Sequence, residues 1–113
     1  MLNSVTTVAL TSALDALALR QTTIANNIAN VNTPNYQAKR VSFEAALAAS
    51  VKAGNGNVEA TTARSLEPTN VNGNNVNLDT ETVSGTDTVL RFQFAAQSVG
   101  NEFSRMRTAI GTN

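Results

Sequence analysis

The sequence contains no cysteine, no histidine and no tryptophan among its 113 residues. Without cysteine there is no disulfide, no thiolate nucleophile and no cysteine-ligated metal site. Without histidine the chain lacks the commonest general base and the commonest metal ligand. Its glycine-rich stretches do not match a phosphate-binding loop, and its eight acidic residues are scattered. We therefore expect no enzyme, and no cofactor, metal ion or small-molecule substrate.

Charge is also scarce, and it is balanced. Eight basic residues face eight acidic ones, and charged residues make up 14% of the chain, against about 25% in ordinary soluble domains. A balanced chain lacks the basic face of a nucleic-acid binder, and few charges leave little repulsion between copies, which favours self-association. No apolar run approaches the ~18 residues of a membrane span. The N-terminus lacks the basic region of a cleaved secretory signal.

The N-terminal segment has apolar residues at alternating steps of four and three, interrupted by Gln21. This spacing is typical of a heptad repeat, and the alanines between the apolar positions favour a helix. The pattern predicts a helix over residues 4–31, either as one amphipathic helix of a small bundle or as a coiled-coil strand. Its predicted apolar seam consists of Leu10, Leu14, Leu17, Ile24, Ile28 and Val31.

The C-terminal segment carries the stronger pattern, because the same alternation continues over residues 78–110 and weakens only near its start. Acidic residues near the beginning and arginines near the end complement a helix dipole. Leu90 and Phe94 lie four residues apart on a second apolar face, either an exposed patch or a contact between subunits. The predicted seam of this helix consists of Val89, Phe92, Ala96, Val99, Phe103, Met106 and Ile110.

The middle of the chain is less regular. Residues 41–53 have a weaker helical pattern, and residues 54–75 are rich in glycine and asparagine, which predicts a long loop. The predicted fold is all-α, with two long terminal helices forming an antiparallel coiled-coil-like hairpin, a short middle helix and a long Asn/Gly-rich loop. The corresponding segments are residues 1–33, 34–75 and 76–113.

Two seamed helices are a small basis for a stable domain, because few of their residues can be buried between them. We therefore expect a marginal monomer, whose termini are partly disordered until they pack against copies of themselves or related chains. Circular dichroism of dilute protein tests this expectation.

Residues 25–36, with the sequence ANNIANVNTPNY, combine a helix end with an unusual number of amide side chains. Pro34 ends the helix, because proline lacks a backbone donor and restricts the residue before it. This stretch closely resembles the N-terminal signature of the bacterial flagellar axial proteins, the family of rod, hook and hook-associated subunits. The residues that carry the resemblance are Asn26, Asn27, Ile28, Asn30, Asn32, Thr33, Pro34 and Tyr36.

Within that family, the chain is most similar to the small proximal rod subunits. It has no room for large outer domains, and residues 73–94, GNNVNLDTETVSGTDTVLRFQF, resemble the segment that precedes the C-terminal helix of those subunits. The end of the chain, RMRTAIGTN, is also similar, whereas residues 54–72 carry no resemblance. Where the family often has glycine, this chain has Asn35, so we expect a turn or left-handed backbone there.

The resemblance implies a structural subunit of the flagellar basal-body rod, in the periplasm, that transmits torque for motility. It implies export through the flagellar type III apparatus without a cleaved signal peptide, followed by helical self-assembly. The implied partners are copies of the chain, other rod proteins, the basal-body ring and the export apparatus. We expect the amides of Asn26, Asn27 and Asn30 to set the register between subunits. The alternatives are another small rod protein, or a soluble helical adaptor or export chaperone that would not need the motif.

Overall fold

The computed structural model describes residues 4–111 and contains three helices and two short strands. It confirms the long terminal helices and the short middle helix. Residues 1–3 and 112–113 of the predicted terminal segments lie outside the described residues, and the predicted division into three segments stays a prediction. In chain order the elements are α1 (Val5–Ala29), β1 (Lys39–Ser42), α2 (Glu44–Lys52), β2 (Thr61–Arg64) and α3 (Leu78–Gly111).

The two strands correct the all-α expectation. β1 and β2 pair antiparallel, with Lys39 opposite Arg64 and Ser42 opposite Thr61. In β1 the buried residue is Val41, and all four residues of β2 are exposed. The sequence could not indicate β2, because a strand with no buried face has no alternation of apolar and polar residues. Backbone pairing with β1 holds it in place.

Local capping defines the ends of the long helices. At the start of α1 the Ser4 hydroxyl accepts a hydrogen bond from the Thr7 amide at 3.2 Å. At the start of α3 the Asn77 side chain accepts from the Thr80 amide at 3.2 Å, with Asp79 in the first turn. α1 ends at Asn30, where the backbone amide bonds back to carbonyls of the last turn. Residues at both ends of α1 and at the start of α3 therefore satisfy backbone groups that the helices leave unpaired.

α1 and α3 pack along one another, with the start of α1 beside the end of α3. On α3 the buried residues are Glu81, Thr88 and Ala95, at steps of seven. This line lies one residue away from the predicted seam, whose Val89 is 41% exposed. Small side chains on the packed line let the two helices approach closely, so packing favours that line over the more apolar one. The core cluster consists of Ala16, Leu17, Phe43 and Ala95, with Ala13, Leu14, Leu47 and Ala60 against it.

An ion pair fastens α2 to α1. The Arg20 guanidinium donates to both carboxylate oxygens of Glu44, at 2.5 and 2.8 Å, and to the Val41 carbonyl at 2.8 Å. It also lies 4.9 Å from the centroid of the Phe43 ring. The hydrogen bond from Arg20 lowers the pKa of Glu44 to about 2.

This lowered pKa predicts a pH-dependent contribution of Glu44 to stability. The contribution is complete above the ordinary carboxyl pKa of 4.5 and is lost as the pH falls toward about 2. The Glu44 side chain is 46% exposed, so Glu44→Gln should cost at most about 1 kcal/mol at pH 7, and clearly less at pH 2. Thermal unfolding followed by circular dichroism at both pH values measures the difference.

Glu59→Gln is the matched control, because it removes the same charge from an exposed side chain. Among residues 4–111 no ion pair of Glu59 is found. An effect of Glu44→Gln that is equally large at pH 2 and pH 7 would contradict the role of the Arg20 pair.

Candidate functional site

The asparagine-rich stretch forms the corner where α1 ends and the chain turns toward β1. The turn is closed by backbone hydrogen bonds from the Thr33 amide to the Asn30 carbonyl, at 3.1 Å, and from the Tyr36 amide to the Thr33 carbonyl, at 3.2 Å. Asn35 has a φ of 63°, which confirms the left-handed backbone expected at this position. Its amide donates to the Asn72 carbonyl at 2.9 Å. The corner is therefore bound to the loop that precedes α3.

Asn27 lies fully buried inside this corner, at 0% exposure. Its amide nitrogen donates to the Lys39 carbonyl at 2.9 Å and to Glu81 Oε1 at 2.5 Å. Its amide oxygen accepts from the Lys39 backbone amide at 3.0 Å. This is an intramolecular role, and it differs from the contact between subunits expected from the sequence. The reason is that β1 offers an N–H and a C=O side by side, which a primary amide can satisfy together.

Glu81 is the buried charge of the site. Its side chain is 0% exposed, and Arg40 Nη1 donates to its two oxygens at 2.9 and 3.0 Å. The same guanidinium reaches Glu67 Oε2 at 2.7 Å through Nη2. A buried carboxylate is tolerated only when charge and hydrogen bonds compensate for lost hydration. The sequence placed Glu81 in the stretch that resembles the family and in the first turn of a helix, where its charge is favourable, but did not indicate that it is buried.

Two further asparagines complete the corner; they lie in the stretch that resembles the family, but no contact was expected of them. Asn74 is 0% exposed and donates to the carbonyls of Asn30, at 2.8 Å, and Thr33, at 2.7 Å. Asn75 accepts from the Ala38 amide at 2.7 Å. Both belong to an asparagine run that indicated only a turn. We call the cluster of Asn27, Arg40, Asn74, Asn75 and Glu81 the asparagine junction.

The remaining motif residues lie at or near the surface. Asn26, Asn32 and Pro34 are exposed, and Ile28 is 37% exposed. Tyr36 is half-buried, with its hydroxyl 3.5 Å from Asn27 Oδ1. Thr33 and Asn30 are joined by a hydroxyl-to-amide hydrogen bond of 3.0 Å. The motif therefore divides into side chains that hold the corner together and side chains available to another molecule.

Beside the junction, an open apolar groove runs between α1 and α3. It consists of two adjoining hollows of about 400 and 450 Å³. Several predicted seam residues of both helices line this groove, the first two of them buried and the other three 37–41% exposed. They are Leu17, Ile24, Ile28, Val89 and Phe92.

The other predicted seam residues are distributed along both helices. Leu10, Leu14, Val31, Val99 and Met106 are half-buried, whereas Ala96, Phe103 and Ile110 are exposed.

The second apolar face is strongly exposed. Leu90 is 61% and Phe94 74% exposed, and Val83, one heptad before Leu90, is 70% exposed. Exposed apolar side chains at heptad spacing are characteristic of a surface that contacts another helix.

The described part of the chain has no group of three or more residues suited to hold a metal ion. Over residues 4–111 there is also no helix whose length and hydropathy would let it cross a membrane.

Comparison with known proteins gives consistent matches. A family model described as "Flagella basal body rod protein" matches residues 9–37, which include most of α1 and the asparagine-rich corner. The flagellar basal body rod protein of Bacillus subtilis (strain 168) is 29% identical over 115 residues, covering 89% of this chain and 89% of that protein. That of Cereibacter sphaeroides is 32% identical over 114 residues, covering 84% and 88%.

The chain therefore belongs to the family of flagellar basal body rod proteins. Both relatives carry the name FlgB, so the chain is FlgB-like. A third protein of that name, from Borrelia hermsii, is 62% identical over 34 residues, 30% of this chain and 25% of that protein. Membership makes the chain a structural protein of the flagellar basal body, concerned with motility, and not an enzyme. It assembles with other rod or basal-body proteins.

Proposed function

We propose that this chain is a proximal rod subunit that polymerises helically with copies of itself and with other rod proteins. In this proposal it leaves the cytoplasm through the flagellar type III apparatus, without a cleaved signal peptide. It then contributes to a periplasmic rod that transmits torque and meets the basal-body ring and the export apparatus.

The observation that carries the proposal is the amount of apolar helix surface that the chain leaves uncovered. The groove between α1 and α3 is open, with the exposed Leu90 among its lining residues, and Phe94 is 74% exposed one helical turn further along α3. An isolated domain gains nothing from exposing large side chains at heptad positions, whereas a helical assembly buries them between subunits. Family membership supports the same reading over an adaptor or export chaperone.

The absence of cysteine supports the export step. A chain with no cysteine cannot form a disulfide that would hold it folded before it is threaded through a channel. The short core, built mainly from alanine, Leu17 and Phe43, adds little stability that threading must overcome. An unfolded export route therefore suits this sequence physically.

The exposed motif side chains of Asn26 and Asn32 are proposed to contact neighbouring subunits. A side-chain amide can donate and accept hydrogen bonds at the same time. Such groups can therefore fix the axial register between helices of neighbouring subunits, which apolar contacts alone would leave free to shift. The apolar groove then supplies affinity, and the amides supply specificity.

A charge on the second apolar face should separate assembly from folding. Leu90→Glu places a carboxylate at a side chain that is 61% exposed, so the monomer should change stability by no more than about 0.5 kcal/mol. Rod assembly should fail, because the charge would be buried without a partner between subunits. Motility of a deletion strain carrying the variant, with electron microscopy of its basal bodies, measures assembly.

Ala48→Glu is the control, since it adds the same charge at an exposed position of α2, away from the groove. It should retain motility. Normal motility of the Leu90→Glu strain would contradict a subunit contact at this face. If basal bodies isolated from the wild-type strain do not contain this chain, the result would instead favour the adaptor or chaperone.

A further inference from the structure

The small buried residues on the packed line of α3 do little to fix the position of α3 along α1. Its members Glu81, Thr88, Ala95 and Glu102 recur every seven residues. The first three are at most 6% exposed, and the Glu102 side chain is 23% exposed. Thr88 and Ala95 are both small, so at these two positions a shift of α3 by one heptad toward its N-terminal end would replace one small side chain with another. Elsewhere the shift costs more, because Phe92 or Leu78 would take the place of Gly85 beside Ile24. Packing of Thr88 and Ala95 alone therefore distinguishes poorly between neighbouring registers.

The two glutamates distinguish these registers strongly. If α3 moved by one heptad toward its own N-terminal end, Thr88 would take the place of Glu81, and Arg40 and Asn27 would lose their acceptor. Glu102 would then replace Ala95, a member of the core cluster. An unpaired carboxylate in that position is costly. A shift in the other direction would carry Glu81 to the buried position of Thr88, away from Arg40.

We infer that Glu81 is a positioning residue that fixes the register of α3 on α1 by accepting from Arg40 and Asn27. Asn27 belongs to α1, Arg40 to β1 and Glu81 to the first turn of α3. One carboxylate therefore fixes the positions of these three elements relative to one another along the helix axes. Buried polar groups are known to set register in helical packing even where they add little stability. Glu102 acts in the opposite sense, by disfavouring the shifted register in which it would be buried.

The register determines the surface that the molecule presents. Ile24 of α1 and Val89 of α3 line the same part of the groove only in the observed register. One heptad of helix corresponds to about 10.5 Å, which would place different side chains opposite one another along the whole groove. The inference concerns packing within one chain and holds whether or not the proposed assembly is correct.

Disulfide trapping measures the register directly, and the absence of native cysteine makes any cross-link attributable to the introduced pair. Ile24→Cys with Gly85→Cys reports the observed register, because a Cβ added at Gly85 lies 3.6 Å from Ile24 Cγ2. Ile24→Cys with Phe92→Cys, or with Leu78→Cys, reports a shift of one heptad in either direction. A displacement of about 10.5 Å exceeds the ~7 Å limit on Cα separation in a disulfide.

With Glu81 present, the 24–85 pair should cross-link and the two shifted pairs should not. In a Glu81→Gln background the yield of a shifted pair should rise about tenfold or more, because hydrogen bonds to a charged group shift an equilibrium by that order. Glu102→Gln is the matched control on the same line of α3 and should leave the 24–78 yield unchanged. If Glu81→Gln abolishes the helical signal, the same three pairs in Arg40→Gln decide the question.

Unchanged cross-linking in Glu81→Gln and Arg40→Gln, accompanied only by a lower melting temperature, would overturn the inference and leave Glu81 a purely structural role. Equal yields of all three pairs with Glu81 present would overturn it too. If Glu81→Gln prevents rod assembly but leaves the cross-linking yields unchanged, the result would count against the inference and leave the proposed function intact.

Discussion

Replacing Gly73 by alanine should destabilise the protein by about 2–5 kcal/mol, a large part of the stability of a small domain. Gly73 has a φ of +82°, where a Cβ is strained, and it lies directly against the left-handed turn at Asn35. A Cβ at Gly73 would clash with Asn35 Oδ1 and lie 3.2 Å from Asn35 Cα. The backbone and the contact therefore oppose the substitution together. Urea unfolding followed by circular dichroism measures the loss.

Two other glycines separate these effects. Gly54 has a φ of +84° but nothing within 4 Å of an added Cβ, so Gly54→Ala should show only the backbone cost of about 1–2 kcal/mol. Gly100 lies inside α3 with open space around it, so Gly100→Ala should stabilise the helix by about 0.5–1 kcal/mol. If Gly73→Ala and Gly54→Ala cost the same, the close approach of Gly73 to Asn35 does not constrain the fold.

The Gly73 contact matters because it joins the two stretches that the sequence marks most clearly. Asn35 closes the corner after α1, and Gly73 begins the segment that leads to Asn74, Asn75 and Glu81. Substituting Gly73 should therefore open the asparagine junction as well as strain one loop. Loss of motility in this variant would follow from a misplaced α3, with the groove residues themselves unchanged.

The sequence predicts the parts of the fold that depend on local pattern. Both long helices follow from a sustained apolar repeat, and the left-handed Asn35 was expected from the glycine that the resembling family often has there and from the conformational tolerance of asparagine. β2 could not be predicted, because its four residues are exposed and its position depends on pairing with β1. Hydrophobicity selected the line through Val89, whereas close packing selected the neighbouring line through Thr88.

The candidate site was only half predictable for a related reason. The motif around Asn27 was identifiable from its residues, but its partner Glu81 is 54 positions away. Glu81 ends the stretch GNNVNLDTE that resembles the family, but that resemblance does not distinguish a buried acceptor from an ordinary first-turn charge. The spacing of seven from Glu81 to Thr88 and Ala95 was the available signal, and it becomes informative only once the packed face of α3 is known.

Asn27→Ala should lower the free energy of unfolding by about 2–4 kcal/mol. The change removes both hydrogen bonds to the Lys39 backbone and the one to Glu81, leaving buried polar groups without a partner. Arg40 would still donate two hydrogen bonds to the Glu81 carboxylate. The groups that lose a partner are therefore mainly the backbone N–H and C=O of Lys39, at the start of β1, and one oxygen of Glu81. Chemical unfolding monitored by circular dichroism gives the value.

Asn26→Ala is the matched comparison, because it changes the same side chain one position earlier. Asn26 is exposed, and no side-chain hydrogen bond of Asn26 is found among residues 4–111. Stability should therefore change by no more than about 0.5 kcal/mol. If Asn26 contacts a neighbouring subunit, the variant should be exported and fold normally yet fail to build the rod. Asn27→Ala should be exported too, but lose stability and assembly together. Unchanged stability in Asn27→Ala would contradict its buried role, and normal motility in Asn26→Ala would remove the proposed contact between subunits.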